Sequence, residues 1–249
     1  MTMKSVTKVV LLGLLSLLWG CTNNMKVTGT FPKPLIASLP QPVGIIYDND
    51  FRNYVYTETS DDRGKWIIDA GAAQVDLFNT VIPELFDYVE ELTAIPSADT
   101  PANVKLVLYP KIIDFQYSVP RETKFTIYEV WLKYNLSVYD AQGAMVADWI
   151  LTAYGKTPTA FMQTDEDAMN AAIMVALRDL GANLSIGTRR VPEIRAWLER
   201  NTPNDPSLKA VQPIQSTDVK APTVMSPKSA QKTPAPNGSI PIHTAQHQE

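Results

Sequence analysis

Apolar and polar residues alternate most regularly between positions 128 and 139. A period of two predicts a β-strand that packs on one side and meets solvent on the other. Shorter runs of the same kind predict four more strands, and Pro110 marks a bulge or an edge position in one of them. These strands cover residues 43–47, 53–58, 104–117 and 145–154. One-sided alternation favours an antiparallel meander.

Apolar residues recur with a helical period in three other segments. Residues 70–92 carry one apolar stripe, and Pro83 within it predicts a kink or split near Val81. A second helix begins after Thr164, whose hydroxyl is suited to cap the helix, and acidic residues at 165–167 complement its dipole. A third, short helix is predicted at residues 192–200, with Pro192 in its first turn.

Helices on one face of an antiparallel sheet predict an α+β fold, a two-layer sandwich. The globular domain is expected at residues 42–201. Residues 21–41 contain Asn, Gly and Pro and are predicted to form a tether without regular structure. Residues 202–249 carry eight prolines and no aromatic residue, a composition that predicts a disordered tail.

The first 20 residues are typical of a signal peptide. Lys4 and Lys8 precede an apolar run of eleven residues, 9–19, which is shorter than the roughly twenty residues needed to span a bilayer. Cys21, the only cysteine of the chain, follows Gly20.

A small residue followed by Cys at this point resembles the lipobox of bacterial lipoproteins. The resemblance implies that the Cys21 thiol takes a diacylglyceryl group, that the signal is cut before it, and that the new amino terminus is acylated, for example with palmitate. Several acyl chains give stable membrane anchoring where one does not. Thr22, in place of the Asp that resembles an inner-membrane retention signal, implies an outer-membrane anchor that faces the periplasm.

Charge and residue content exclude several functions. Loss of Lys4 and Lys8 takes the formal charge from −4 to −6, which disfavours nucleic acid as a partner. His243 and His247 lie in the predicted tail, and residues 42–201 contain neither His nor Cys, which excludes Ser-His-Asp and Cys-His catalysis and zinc sites of those ligands. Phosphate-binding glycine loops are absent from the sequence. The carboxylate pairs 48/50 and 61/62, together with the acids at 165–167, are typical of turns and caps. We therefore expect no enzyme, no cofactor and no metal.

Trp131, Tyr139 and Trp149 are interpreted as lying on the polar phase of the meander. On an open sheet face they would form an interaction patch, since Trp and Tyr are enriched at interface hot spots. If a helix covers that face, they are ordinary core residues.

The meander at 134–143, residues 149–155 and the helix start at 167–172 resemble a group of Gram-negative accessory lipoproteins. The group includes YajG-like proteins, auxiliary lipoproteins of ABC-type lipid transport systems, and the lipoprotein that plugs the lipopolysaccharide translocon. The resemblance implies a non-catalytic accessory or assembly role in a periplasmic or outer-membrane complex. The alternative is a carrier or sensor that binds a lipid or glycan. Lysines spaced along the tail suggest a reach toward peptidoglycan, and a dispensable tail is the other interpretation.

Overall fold

The computed structural model describes residues 22–122, 126–159 and 163–202, which belong to one unit of the chain, residues 1–211. The predicted signal peptide, Cys21 and the predicted tail beyond Thr202 lie outside the described residues. The described strands are β1 Thr22–Lys26, β2 Leu39–Ile46, β3 Val55–Ser60, β4 Gly64–Asp69, β5 Phe86–Leu92, β6 Leu106–Ser118, β7 Ile127–Asp140 and β8 Met145–Pro158. The described helices are α1 Asn49–Arg52, α2 Gly71–Leu85, α3 Asp165–Gly187 and α4 Pro192–Asn201.

The strands form two sheets, and the α+β class is confirmed. The larger sheet has the order β5-β2-β6-β7-β8, and the smaller one has the order β1-β4-β3. Strands β6, β7 and β8 form the predicted antiparallel meander. The sheet is mixed rather than wholly antiparallel, because β2 pairs in parallel with both β5 and β6. Strand β5 follows α2, and a strand reached through a helical crossover runs parallel to its neighbour.

One face of the larger sheet carries the main core. The even positions of β7, from Tyr128 to Val138, are buried in the same cluster as the apolar residues of α2, α3 and α4. Trp66 and Ile68 of the smaller sheet join this cluster. The helices and the smaller sheet therefore cover one face together.

The predicted long helix at 70–92 is wrong beyond residue 85. Helix α2 ends two residues after Pro83, and residues 86–92 form β5. Pro83 has no backbone N–H to continue the helical ladder. The following backbone pairs in register with β2 instead, with Val89 opposite Val43 and Leu92 opposite Ile46.

The predicted irregular tether is also wrong at both of its ends. Residues 22–26 form β1, which pairs with β4 from Thr22 opposite Lys65 to Lys26 opposite Asp69. Residues 39–41 belong to β2. The sequence of β1 is polar except for Met25, so it lacks an alternating pattern, yet its backbone groups bond to a neighbouring strand.

The segment after β1 is fixed to α3 by hydrogen bonds. The Thr28 N–H donates to Asn170 Oδ1 at 3.0 Å, and Asn170 Nδ2 donates back to the Thr28 carbonyl at 3.0 Å. The Arg178 guanidinium donates to the Thr30 carbonyl at 3.1 Å. Residues 22–30 are therefore part of the folded body.

Helix α3 begins as predicted. The Asp167 N–H donates to Thr164 Oγ1 at 3.1 Å, which confirms Thr164 as the cap. Its apolar stripe is buried, including Met169, Ile173 and Leu180.

Helix α3 also lies unusually close to the edge strand β8. A Cβ on Gly155 would lie 2.1 Å from the Ala172 carbonyl oxygen and 2.3 Å from the Ala176 nitrogen. Two polar side chains of α3 bond to the β8 backbone. Asp179 accepts from the Tyr154 N–H at 3.0 Å, and Asn183 donates to the Thr152 carbonyl at 3.0 Å. An exposed sheet edge is a template for pairing with other chains, and these contacts block it.

We predict that Gly155→Ala lowers the free energy of unfolding by about 1–3 kcal/mol, because the new methyl group forces the backbones of α3 and β8 apart. Urea denaturation measures this change. Lys156→Ala is the matched control on the neighbouring exposed position, with an expected change within about 0.5 kcal/mol. Equal stability of the two variants would contradict the close packing.

Candidate interaction surface

The second face of the larger sheet carries the odd positions of β7. Residues directly opposite one another on paired strands share a face. Gln116, Trp131 and Tyr154 are opposite one another across β6, β7 and β8. The next row contains Asp114, Lys133 and Thr152, and the row after it pairs Asn135 with Ile150. We call this side of the sheet the open face.

Three large side chains on the open face are exposed. Trp131, Ile150 and Tyr154 are 40%, 46% and 36% exposed, respectively. We call the Trp131–Tyr154 pair, with Ile150 two rows away, the open-face patch. The rings of Trp131 and Tyr154 lie with their centroids 5.4 Å apart and their planes at 39°. Tilted aromatic pairs at this separation are favourable. A shallow concavity of about 470 Å³ adjoins Trp131, with Gln116 and Thr152 on its rim.

A carboxylate on the same strand as Trp131 fixes the second ring of the pair. The Tyr154 hydroxyl donates to Glu129 Oε1. This hydrogen bond, followed by partial desolvation, raises the pKa of Tyr154 to about 12. The phenol is therefore a hydrogen-bond donor whose position is fixed by the Glu129 carboxylate.

Trp149 lies on the covered face, which corrects its predicted place beside Trp131. It is opposite Leu136, a core residue. Its ring packs against α3 where the helix has Gly187, since a Cβ there would lie 2.2 Å from the ring. In β8, Trp149 shares its phase with the buried Ala147 and Leu151.

Tyr139 shares the open face by parity but lies far from the patch. It is eight residues from Trp131 along β7, roughly 26 Å at the rise of a strand. It packs against a second, smaller core cluster that contains Ile46, Val104 and Val107. The predicted trio is therefore not one surface, and only Trp131 belongs to the open-face patch. Ile150 and Tyr154 were missed, although they alternate with the core positions of β8 and so carry a readable signal.

An apolar groove lies on the helical side of the molecule. It has a volume of about 250 Å³ and is lined by α2, α3 and the segment before β2, including Leu77, Val81 and Gly181. Lys33 crosses its rim to Glu84 at 2.7 Å. The groove lies between α2 and α3 rather than between α2 and the meander.

Two of the clustered acids, Asp48 and Asp165, have structural roles. Asp48 caps α1 by accepting from the Phe51 N–H at 2.7 Å, and its second oxygen accepts from the Tyr109 hydroxyl at 2.7 Å. Asp165 lies in the first turn of α3. Within the described ranges, no group of three or more His, Cys, Asp or Glu side chains is placed to hold a metal ion. None of the helices described is both long enough and apolar enough to cross a membrane.

No protein-family model matches the chain, and no curated protein matches it in sequence. Among solved structures, protein XCC0632 from Xanthomonas campestris is similar at 11% identity and a TM-score of 0.45, over 66% of this chain and 92% of that one. A minor lipoprotein from Acinetobacter baumannii is similar at 12% identity and a TM-score of 0.34, over 60% and 91%. The protein CT253 from Chlamydia trachomatis is similar at 12% identity and a TM-score of 0.34, over 58% and 96%. Such identities and TM-scores assign neither a family nor a function to this chain.

Among the tryptophans that the structure describes, we predict that Trp131 is the most accessible to a small quencher. Trp131→Phe should lower the acrylamide quenching of the protein's fluorescence clearly, because it removes an exposed indole. Trp149→Phe is the matched control and should leave most of the quenching in place. The reverse order would contradict the assignment of the two residues to opposite faces.

Proposed function

We propose that the protein is a lipid-anchored envelope protein that works without catalysis, as an accessory or assembly component of a periplasmic or outer-membrane complex. It docks on another envelope protein through the open-face patch. The observation that carries this proposal is the exposed Trp131–Tyr154 pair on a sheet whose other face is filled by the core.

The composition of the patch supports protein docking. Trp and Tyr dominate hot spots at protein interfaces because they bury much area with little loss of side-chain freedom. Rim residues Gln116, Lys133 and Thr152 supply hydrogen-bonding groups around the apolar centre. Asp179 and Asn183 occupy backbone groups of β8, so docking uses the face of the sheet rather than strand addition at this edge.

The apolar groove gives the carrier alternative little support. The apolar groove, at about 250 Å³, lies below the range of roughly 300–1,000 Å³ that small-molecule pockets occupy. Lys33 and Glu84 pair across its rim, and Arg178 beside it is already bonded to the Thr30 carbonyl. A whole lipid therefore has no preformed cavity there.

The membrane part of the proposal comes from the sequence at Cys21 and Thr22. Both residues fit a lipoprotein of the outer membrane that faces the periplasm. We predict that cells fed a palmitate analogue label the wild-type protein and leave Cys21→Ser unlabelled, because the serine hydroxyl does not replace the thiol as the site of lipid transfer. Thr22→Ser is the matched control and should label like the wild type. Equal labelling of Cys21→Ser and wild type would contradict the anchor.

Site-specific crosslinking in cells tests the docking surface. A photoreactive amino acid at position 131 should capture one envelope protein in stoichiometric amount, because this side chain lies at the centre of the open-face patch. The same amino acid at position 149, on the covered face, is the matched control and should form no crosslink to another protein. Capture of lipid or glycan alone at position 131 would overturn docking in favour of the carrier.

A further inference from the structure

The amino end of the described chain lies at one end of the domain, together with the β3–β4 turn, Arg121 and the start of α3. Thr22 is opposite Lys65, directly after the β3–β4 turn. Arg121, in the β6–β7 connection, donates to the Asp62 carbonyl of that turn at 3.0 Å. A cleft of about 740 Å³ is lined by residues of all these parts: Thr22, Asp61, Asp62, Arg63, Lys65, Arg121, Tyr128 and Asp165. We call this region the anchor end.

No spacer separates Cys21 from the anchor end. Cys21 is bonded directly to Thr22, and consecutive Cα atoms lie about 3.8 Å apart. Strand β1 is held over its whole length by β4, and Val27 continues the ladder by donating to the Asp69 carbonyl at 2.8 Å. Met25 and Val27 are buried. A group attached to Cys21 is therefore carried by a fixed strand.

We infer that the anchor end rests on the headgroups of the bilayer. The lipid then holds the domain in one orientation, because no flexible linker separates them. This inference depends on the lipid anchor of the proposed function. Helix α3 begins at Asp165 in the anchor end and has 23 residues, so it extends about 34 Å away from the bilayer. The β7–β8 hairpin lies at the opposite end.

The charges of the anchor end fit a headgroup that carries both an ammonium and a phosphate. Three acidic side chains line the cleft, Asp61, Asp62 and Asp165. Three basic ones, Arg63, Lys65 and Arg121, line it too, and Arg63 is paired with Glu58 and Glu122. Such a surface has little net attraction for an anionic membrane. The orientation is set by the covalent link and the fixed strand, and it is therefore insensitive to salt.

The orientation also places the open-face patch. Trp131 lies four residues along β7 from Ile127 at the anchor end, roughly 13 Å at the rise of a strand. The patch is thus held close to the membrane and faces sideways. A docking partner therefore has to present its binding surface at a similar short distance from the membrane.

The test uses the full-length lipidated protein on phosphatidylcholine vesicles that contain a headgroup-attached nitroxide quencher. Cys21 is the only cysteine and is acylated, so a new cysteine takes a fluorescent label without competition. Asp62→Cys labels the anchor end, and Gln142→Cys labels the hairpin; both side chains are exposed. We expect quenching at position 62 to be several-fold stronger than at position 142, at low and at high salt alike.

A linker variant is the matched control. Insertion of about twenty Gly and Ser residues between Cys21 and Thr22 adds a mean reach of roughly 25 Å, so the difference between the two labels should disappear while the protein still floats with the vesicles. Failure of the unmodified protein to float would overturn the lipid anchor and this inference with it. Flotation with equal quenching at both positions, or loss of the difference at high salt, would overturn this inference alone and leave the anchor intact.

Discussion

The close approach of α3 to β8 at Gly155 organises the molecule. A glycine at this position lets the helix backbone come within contact distance of the strand, and the apolar stripe of α3 then reaches the even positions of β7. From that position α3 contacts the β8 edge through Asp179 and Asn183. The same helix holds the chain after β1 through Asn170 and Arg178. If α3 moved away from β8 by the width of one side chain, the Asp179 and Asn183 contacts would be lost together, because both depend on the same helix–strand separation.

This arrangement divides the sheet into two unequal faces. All apolar layers of the main cluster lie on one side, and the opposite side is covered by the second cluster at its Tyr139 end. Exposed aromatic residues there, such as Trp131 and Tyr154, add little to folding and keep their contact surface available. The Tyr154–Glu129 bond limits the freedom of one ring, which reduces the entropy lost when the surface is covered.

The local sequence pattern was sufficient to predict an element where a single period of apolar residues dominated. The alternation in β7 and the Thr164 cap of α3 were both readable, because burial on one side and an N-terminal hydroxyl act within a few residues. Strands β1 and β5 were not readable for a different reason. Thr22–Lys26 is polar, and residues 86–92 continue a helical apolar spacing, so only pairing with distant β4 and β2 makes them strands.

The candidate site shows the same division between local and distant information. Trp131 was found because its phase in β7 is unambiguous, whereas Trp149 was placed on the wrong face by a phase error of one residue in β8. Such a slip moves every side chain of a strand to the other face. The buried neighbours Ala147 and Leu151 contained the correct phase. The distance of Tyr139 from Trp131 follows from strand length alone, but its burial depends on Val104 and other residues of a preceding segment.

The contacts of the first residues also have a consequence for the order of folding. Thr28 bonds to Asn170, 142 positions later in the chain, so this bond forms only after nearly the whole domain has been made and collapsed. Contacts of such long sequence separation form late because loop closure comes first. Strand β1 pairs with β4 only 43 positions away, Thr22 opposite Lys65, so this pairing is available before the bonds that fix Thr28 and Thr30 to α3. The amino-terminal segment therefore joins the domain in two stages, first as a strand and then as a contact of α3.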